Sequence, residues 1–184
     1  MILTVIGCVN RMVENPVSTV PKAPMISLDS MESIEIWSVQ SNREHDVSEF
    51  CHFILGIELG VGEMSGDNLL RVLRHWPKKV FAITECSQFP ETEPKYADLI
   101  TDVSDAFRKM TLTGETALQF LHQSSPLEFM QNSGLKRTVK TLCGQYPIIA
   151  WWEDTSEVNI LIERSLSESY GDYLSVLADR FSFD

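Results

Sequence analysis

The chain has 184 residues, of which 43% are hydrophobic and 22% charged, and its formal net charge is −11. That length supports one domain, or two small lobes on a shared core, with no metal or disulfide needed for folding. An acidic surface repels phosphate backbones and anionic lipid, so neither nucleic acid nor a membrane is expected as a partner.

Residues 1–30 carry Pro16, Pro21 and Pro24 and no hydrophobic period. They read as an extended arm, either disordered or laid across a partner's surface. The opening MILTVIGCVN is too short to span a membrane and lacks the basic flank of a secretory signal. The four cysteines, Cys8, Cys51, Cys86 and Cys143, form no C-x-x-C pair. Wide spacing without a signal fits reduced thiols, hence a cytoplasmic location.

Residues 31–184 carry the patterned domain. Ser33 to Val39 alternates and predicts a strand, and the period then switches to helical. Val47, Phe50, Cys51, Ile54 and Leu55 share one face of that helix, and Asp46 with Glu49 imitates a capping box at its start. The glycines from Gly56 to Gly66 have the wrong spacing and context for a dinucleotide loop and predict a flexible turn. Two strands joined at Trp76-Pro77-Lys78 follow, then a proline-rich loop. The segment RVLRHWPKK, Arg71 to Lys79, is the one dense basic cluster. It reads as a solvated face or as a docking patch for an acidic partner.

Two more strands flank a turn at Ser104 to Ala106. A helix follows, with Thr113 as its N-cap and Ala117, Leu118 and Leu121 on its buried side. Beyond Ser125-Pro126 three strands are expected, the last two joined at Asp154-Thr155-Ser156. Val158, Ile160 and Ile162 share one face of the last strand. The final helix opens on a Ser165/Glu168 capping box and lines Leu166, Tyr170, Tyr173, Leu174, Leu177 and Phe181 along one side. Strands in groups with helices between them give a compact α+β domain of antiparallel sheet with packed helices.

Chemistry is harder to find. Asp102 and Asp105 could pair as acid and base, but carboxylates that bracket a turn ordinarily bond their own backbone. No nucleophile elbow and no metal spacing occurs. Cys51 lies on an apolar face and reads as core. Trp151 and Trp152 are adjacent in a strand, so their indoles point to opposite faces. One is expected in the core and the other at an interface with a partner, unless both sheet faces are covered.

The segment DVSDAFRKMTLTGETALQFLHQSSPLEF resembles the core of the gamma subunit of heterotetrameric sarcosine oxidase. That family shows D-V-S-D, a strand, S-G, a helix ending in Leu, then C-P-L-D-L. Asp102 to Asp105, Thr113-Gly114, Leu118, Leu121 and Ser125 to Phe129 occupy those places. Arg137-Thr138 and the stretch from Ile160 to Leu177 continue the likeness. Ser125 stands where the family has Cys, Glu128 where it has Asp, and Leu166 where it has Phe. The paralogous subunit of N-methylglutamate dehydrogenase would look similar.

The resemblance implies a truncated form of the folate-binding T-protein of glycine cleavage. It also implies an assembly with alpha, beta and delta subunits. In that assembly other subunits carry FAD, FMN, NAD, tetrahydrofolate and zinc, and gamma packs mainly against alpha as a non-catalytic partner. No cofactor is then expected on this chain alone. The alternative is a stand-alone tetrahydrofolate-binding protein or aminomethyltransferase-like enzyme, using Asp102 or Glu128 with Tyr146 or Trp151.

Overall fold

The computed structural model describes residues 25–28 as backbone, and 34–66, 69–84, 89, 92–126 and 136–181 in full. Ten strands are β1 (Met25–Leu28), β2 (Glu35–Gln40), β3 (Glu63–Gly66), β4 (Leu70–Trp76), β5 (Lys79–Thr84), β6 (Ile100–Asp102), β7 (Phe107–Thr113), β8 (Arg137–Cys143), β9 (Tyr146–Trp152) and β10 (Glu157–Glu163). The α-helices among the described residues are α1 (Glu44–Phe53), α2 (Ala117–Gln123) and α3 (Ser167–Phe181). The strands form one antiparallel sheet in the order β1-β7-β10-β9-β8-β3-β4-β5-β2-β6.

That sheet curls on itself, and the sequence explains how. β5, β9 and β10 are apolar at successive positions rather than alternately, the mark of strands covered on both faces. In β9, Ile148, Ala150 and Trp152 point outward to α2 and α3, while Ile149 and Trp151 point inward. In β10, Val158, Ile160 and Ile162 join the outer set and Leu161 the inner one. In β5, Val80 and Ala82 face α1, while Phe81 and Ile83 face inward.

The inner residues of the two half-sheets, β1 to β8 and β3 to β6 in spatial order, meet as one buried cluster. The result is four layers, with helices on both outer faces of a folded-over sheet. Each aliphatic side chain buried this way contributes about 1.5–3 kcal/mol over exposure. Covering both faces therefore stabilises the fold far more than a one-sided sheet could.

The halves join at a narrow seam. β3 has four residues and meets β8 in one register pair, Glu63 with Arg137. Two backbone bonds flank it, Met64 N–H to Lys136 O at 3.2 Å and Thr138 N–H to Gly62 O at 3.1 Å. Gly62 takes φ +84 there, in the left-handed region that an L side chain resists. Beyond this seam β4 and β8 continue without β3 between them. A bulge in β4 between Leu73 and Trp76 re-aims the end of that strand.

Several local expectations shift. α1 begins at Glu44, so Asp46 lies in its first turn and accepts a hydrogen bond from Ser41 Oγ at 2.6 Å instead of capping the helix. Thr113 ends β7, and α2 follows after a turn at Gly114 to Thr116. Ser165 sits inside a 3₁₀ turn, Arg164–Leu166, that leads into α3. In each case a residue able to cap was recruited by a neighbouring element instead.

The glycine-rich stretch holds strand β3 as well as turns. Met25–Leu28, in the segment expected as an arm, pairs with β7 at the sheet edge. Residues 1–24 lie outside the described residues. So do Cys8, Cys86 and Leu127 to Phe129, with Glu128 among them.

Candidate functional site: the cavity at the seam

The opening between β4 and β8 is a cavity of about 460 Å³. Its floor comes from the inner layer, including Phe81, Phe107, Ile149 and Leu161. Its rim comes from the β4–β5 hairpin, with Trp76, Lys78 and Lys79, and from Lys140 on β8. Gln40, Ser41 and Asn42 close one side, and Glu163 is the one acid in the lining.

Ring packing fixes the floor. His75 stacks on Phe81 with centroids 5.1 Å apart, and Phe107 meets Phe81 edge-on at 5.3 Å. The Lys79 ammonium sits 4.8 Å from the Phe81 ring centre, an attraction between cation and ring quadrupole. Burial, helped by Lys140 and Lys79, depresses the His75 pKa to about 4, so its imidazole is neutral at pH 7. Its Nδ1 is buried with no hydrogen-bond partner among the described residues. Partial burial and then the Lys140 charge lower the proton affinity of Lys79. Trp76 is 57% exposed beside this cluster.

A second, more open groove of about 650 Å³ runs between α1 and the loop before β3. Its polar groups mostly bond one another. Glu49 accepts from the Tyr96 hydroxyl at 2.9 Å, which holds its carboxyl below the ordinary value. Glu63 accepts from Gly60 N–H at 2.8 Å. The Arg74 guanidinium, buried beneath, donates to Leu59 O at 2.7 Å and Pro77 O at 2.9 Å and reaches Glu44 at 3.2 Å. It clamps the hairpin and the loop to α1. Among the described residues no group of three His, Cys, Asp or Glu is placed to hold a metal ion.

The residues singled out in the sequence do not converge. Trp151 is 1% exposed in the inner layer and Trp152 is 3% exposed under α2 and α3. Both sheet faces are covered, so neither indole presents surface to a partner. The residues that cover them come from the opposite half-sheet and from two helices distant in sequence.

Asp102 accepts from Ser104 N–H at 2.9 Å and Ser104 Oγ at 2.6 Å, closing its own turn. Asp105 pairs instead with Arg164 at 3.3 Å. The two carboxylates thus serve separate local contacts. Tyr146 packs with Tyr170 and Tyr173 on the helix side of β9, the face opposite Trp151. The Cys51 and Cys143 thiols are buried, and burial pushes both up in pKa, which suits core sulfur rather than nucleophiles.

Sequence reasoning missed the exposure of Trp76 and the place of Lys140. The signal for the first was present, a Trp-Pro-Lys-Lys run in an acidic chain. Nothing local in the sequence ties Lys140 to that run.

No family model and no curated protein matches this chain. Among the solved structures that share its shape, two are informative. One is a chain of heterotetrameric sarcosine oxidase from Corynebacterium sp. U-96, solved with pyrrole 2-carboxylate, with TM-score 0.69 and 19% identity. The alignment covers 88% of this chain and 87% of that one. The other is glycine cleavage system aminomethyltransferase T from Bartonella henselae, with TM-score 0.57 and 12% identity over 84% of this chain. The present chain spans less than half of that protein, 46% of its length. The curled antiparallel sheet with helices on its outer faces is therefore the fold that this chain shares with sarcosine oxidase and aminomethyltransferase structures.

Proposed function

We propose that this chain is a non-catalytic accessory subunit of a multi-subunit flavoenzyme of the sarcosine oxidase type. The assembly oxidatively demethylates an N-methyl amino acid and passes the one-carbon unit to tetrahydrofolate. The chain corresponds to the gamma subunit and packs mainly against alpha, with beta and delta completing a cytoplasmic heterotetramer. FAD, FMN, NAD, tetrahydrofolate and zinc sit on the other subunits.

One observation carries this reading. The likeness to the sarcosine oxidase chain is reciprocal, covering nearly all of both chains, whereas the aminomethyltransferase is more than twice as long as the part matched. A match that spans nearly a whole sarcosine oxidase chain favours that likeness over one to part of the aminomethyltransferase. The D-V-S-D turn and the Arg164-Ser165 segment, both in the sequence resemblance, touch through the Asp105–Arg164 pair. That contact supports a structural purpose for them.

Co-expression with the large flavin-bearing chain is the test. The account expects a higher soluble yield of both chains and co-elution at fixed stoichiometry. Two independent elution peaks would count against it.

The shared fold with the aminomethyltransferase favours a second reading, a tetrahydrofolate-binding protein acting alone. Its proposed residues Asp102, Tyr146 and Trp151 lie in an exposed turn, in the helix-side layer and in the inner layer respectively. That separation is why it ranks second.

A further inference from the structure

We infer that the seam cavity and the hairpin beside it form a docking socket for an acidic segment of a partner subunit. The inference rests on the accessory-subunit reading and says which surface makes the contact.

Charge is the first argument. Lys78, Lys79 and Lys140 gather around one opening in a chain whose net charge is −11. None of the three forms an ion pair among the described residues. Glu163 is the one acid in the same lining and leaves most of that positive charge uncompensated. Lys79 and Lys140 are near enough that, after partial burial, the Lys140 charge further weakens the hold of Lys79 on its proton. Carboxylates delivered from outside would relieve that repulsion in a partly desolvated place, where such attraction is stronger than in water. Elsewhere the acidic surface would repel the same segment, so the charge pattern also sets where it lands.

Trp76 is the second argument. An indole left largely exposed at the edge of a positive pocket has the character of an interface anchor, where large aromatics beside charges carry much of the binding energy. Trp76 ends β4 just past the bulge and pairs with Lys79 across the hairpin turn.

The floor is the third argument. The cavity is within the ~300–1,000 Å³ range that accepts a ligand of drug size, so side chains of a short peptide fit it. Its base is aromatic and aliphatic, formed by Phe81, Phe107, Ile149 and Leu161. The fitting segment carries two or more carboxylates flanking an apolar residue.

The experiment uses the assembly purified from its own cells and a carbodiimide, which joins lysine to carboxylate only in direct contact. Mapped links from Lys78 or Lys140 to Asp or Glu of a different chain are expected. The double variant Lys78→Glu/Lys140→Glu should weaken assembly at least ~tenfold and flatten its salt dependence. Both side chains are exposed, and Lys79 keeps its contact with Phe81, so the fold should hold. Trp76→Ala should also weaken assembly ~tenfold or more.

Links to a second copy of this chain would overturn the inference. So would an assembly whose affinity and salt dependence ignore both variants, although the accessory role would then stand. A chain that purifies alone, before any variant is made, would sink both.

Discussion

Acid should destabilise this protein through His75, and the size of the effect follows from its burial. The imidazole is neutral in the folded chain because burial and two lysines depress its pKa to about 4, against 6.5 for the ordinary group. The unfolded chain therefore binds that proton first. Stability from this residue is fully present above the ordinary value and is lost as pH falls from there toward about 4. Each unit of pKa difference is worth roughly 1.4 kcal/mol, so moving from pH 7 to pH 5 removes about 2 kcal/mol.

Other groups titrate over the same range, and a paired comparison cancels them. His75→Phe keeps a ring stacked on Phe81 and removes the titration. Urea unfolding of both proteins at the two pH values, followed by tryptophan fluorescence, gives the difference. The variant should lose about 2 kcal/mol less than the parent on acidification. Equal losses would refute the reasoning and put the imidazole in water or beside an acid.

Other outcomes follow from the same geometry. Trp151→Ala removes the largest side chain of the inner layer and should cost about 3–5 kcal/mol in urea unfolding, and a cost below about 1 kcal/mol would mean that the half-sheets do not pack there. Arg74→Met leaves the Leu59 and Pro77 carbonyls without their donor and should cost about 2–3 kcal/mol, with faster amide exchange in the loop before β3. Tetrahydrofolate titrated into the isolated chain should show no saturable micromolar binding. Saturable binding that Asp102→Asn abolishes would favour the folate-binding alternative.

Much of the fold was legible in the sequence where two signals agreed. β4 and β5 combine apolar runs with a Trp-Pro-Lys turn, and β9 and β10 flank an Asp-Thr-Ser turn. In that turn Asp154 accepts from Ser156 N–H, Ser156 Oγ and Glu157 N–H. α3 shows its apolar face plainly, with Tyr170, Leu174 and Phe181 buried as the helical period requires.

β3 was not legible, because Glu-Met-Ser-Gly has no strand pattern of its own. Its extended form comes from pairing with β4 along its length and with β8 at one point. Capping residues misled for a related reason. Asp46, Thr113 and Ser165 can each cap a helix, but the neighbouring turn or strand fixed where the helix began. The tryptophan pair shows the deeper limit. Alternation along a strand says that two indoles face opposite ways, and it cannot say that a second half-sheet folds over one of them. The cavity was beyond reach because Lys140 meets Lys79 only after the sheet has curled.

The central claim is that this chain works as one member of a flavin-bearing assembly. Its most direct test is the mass and absorbance of the tagged chain purified from its own cells under mild salt. The account predicts elution far above 20.9 kDa, with flavin absorbance and larger chains in constant ratio across the peak. A flavin-free peak at the monomer mass, with amine-demethylating activity eluting elsewhere, would contradict it.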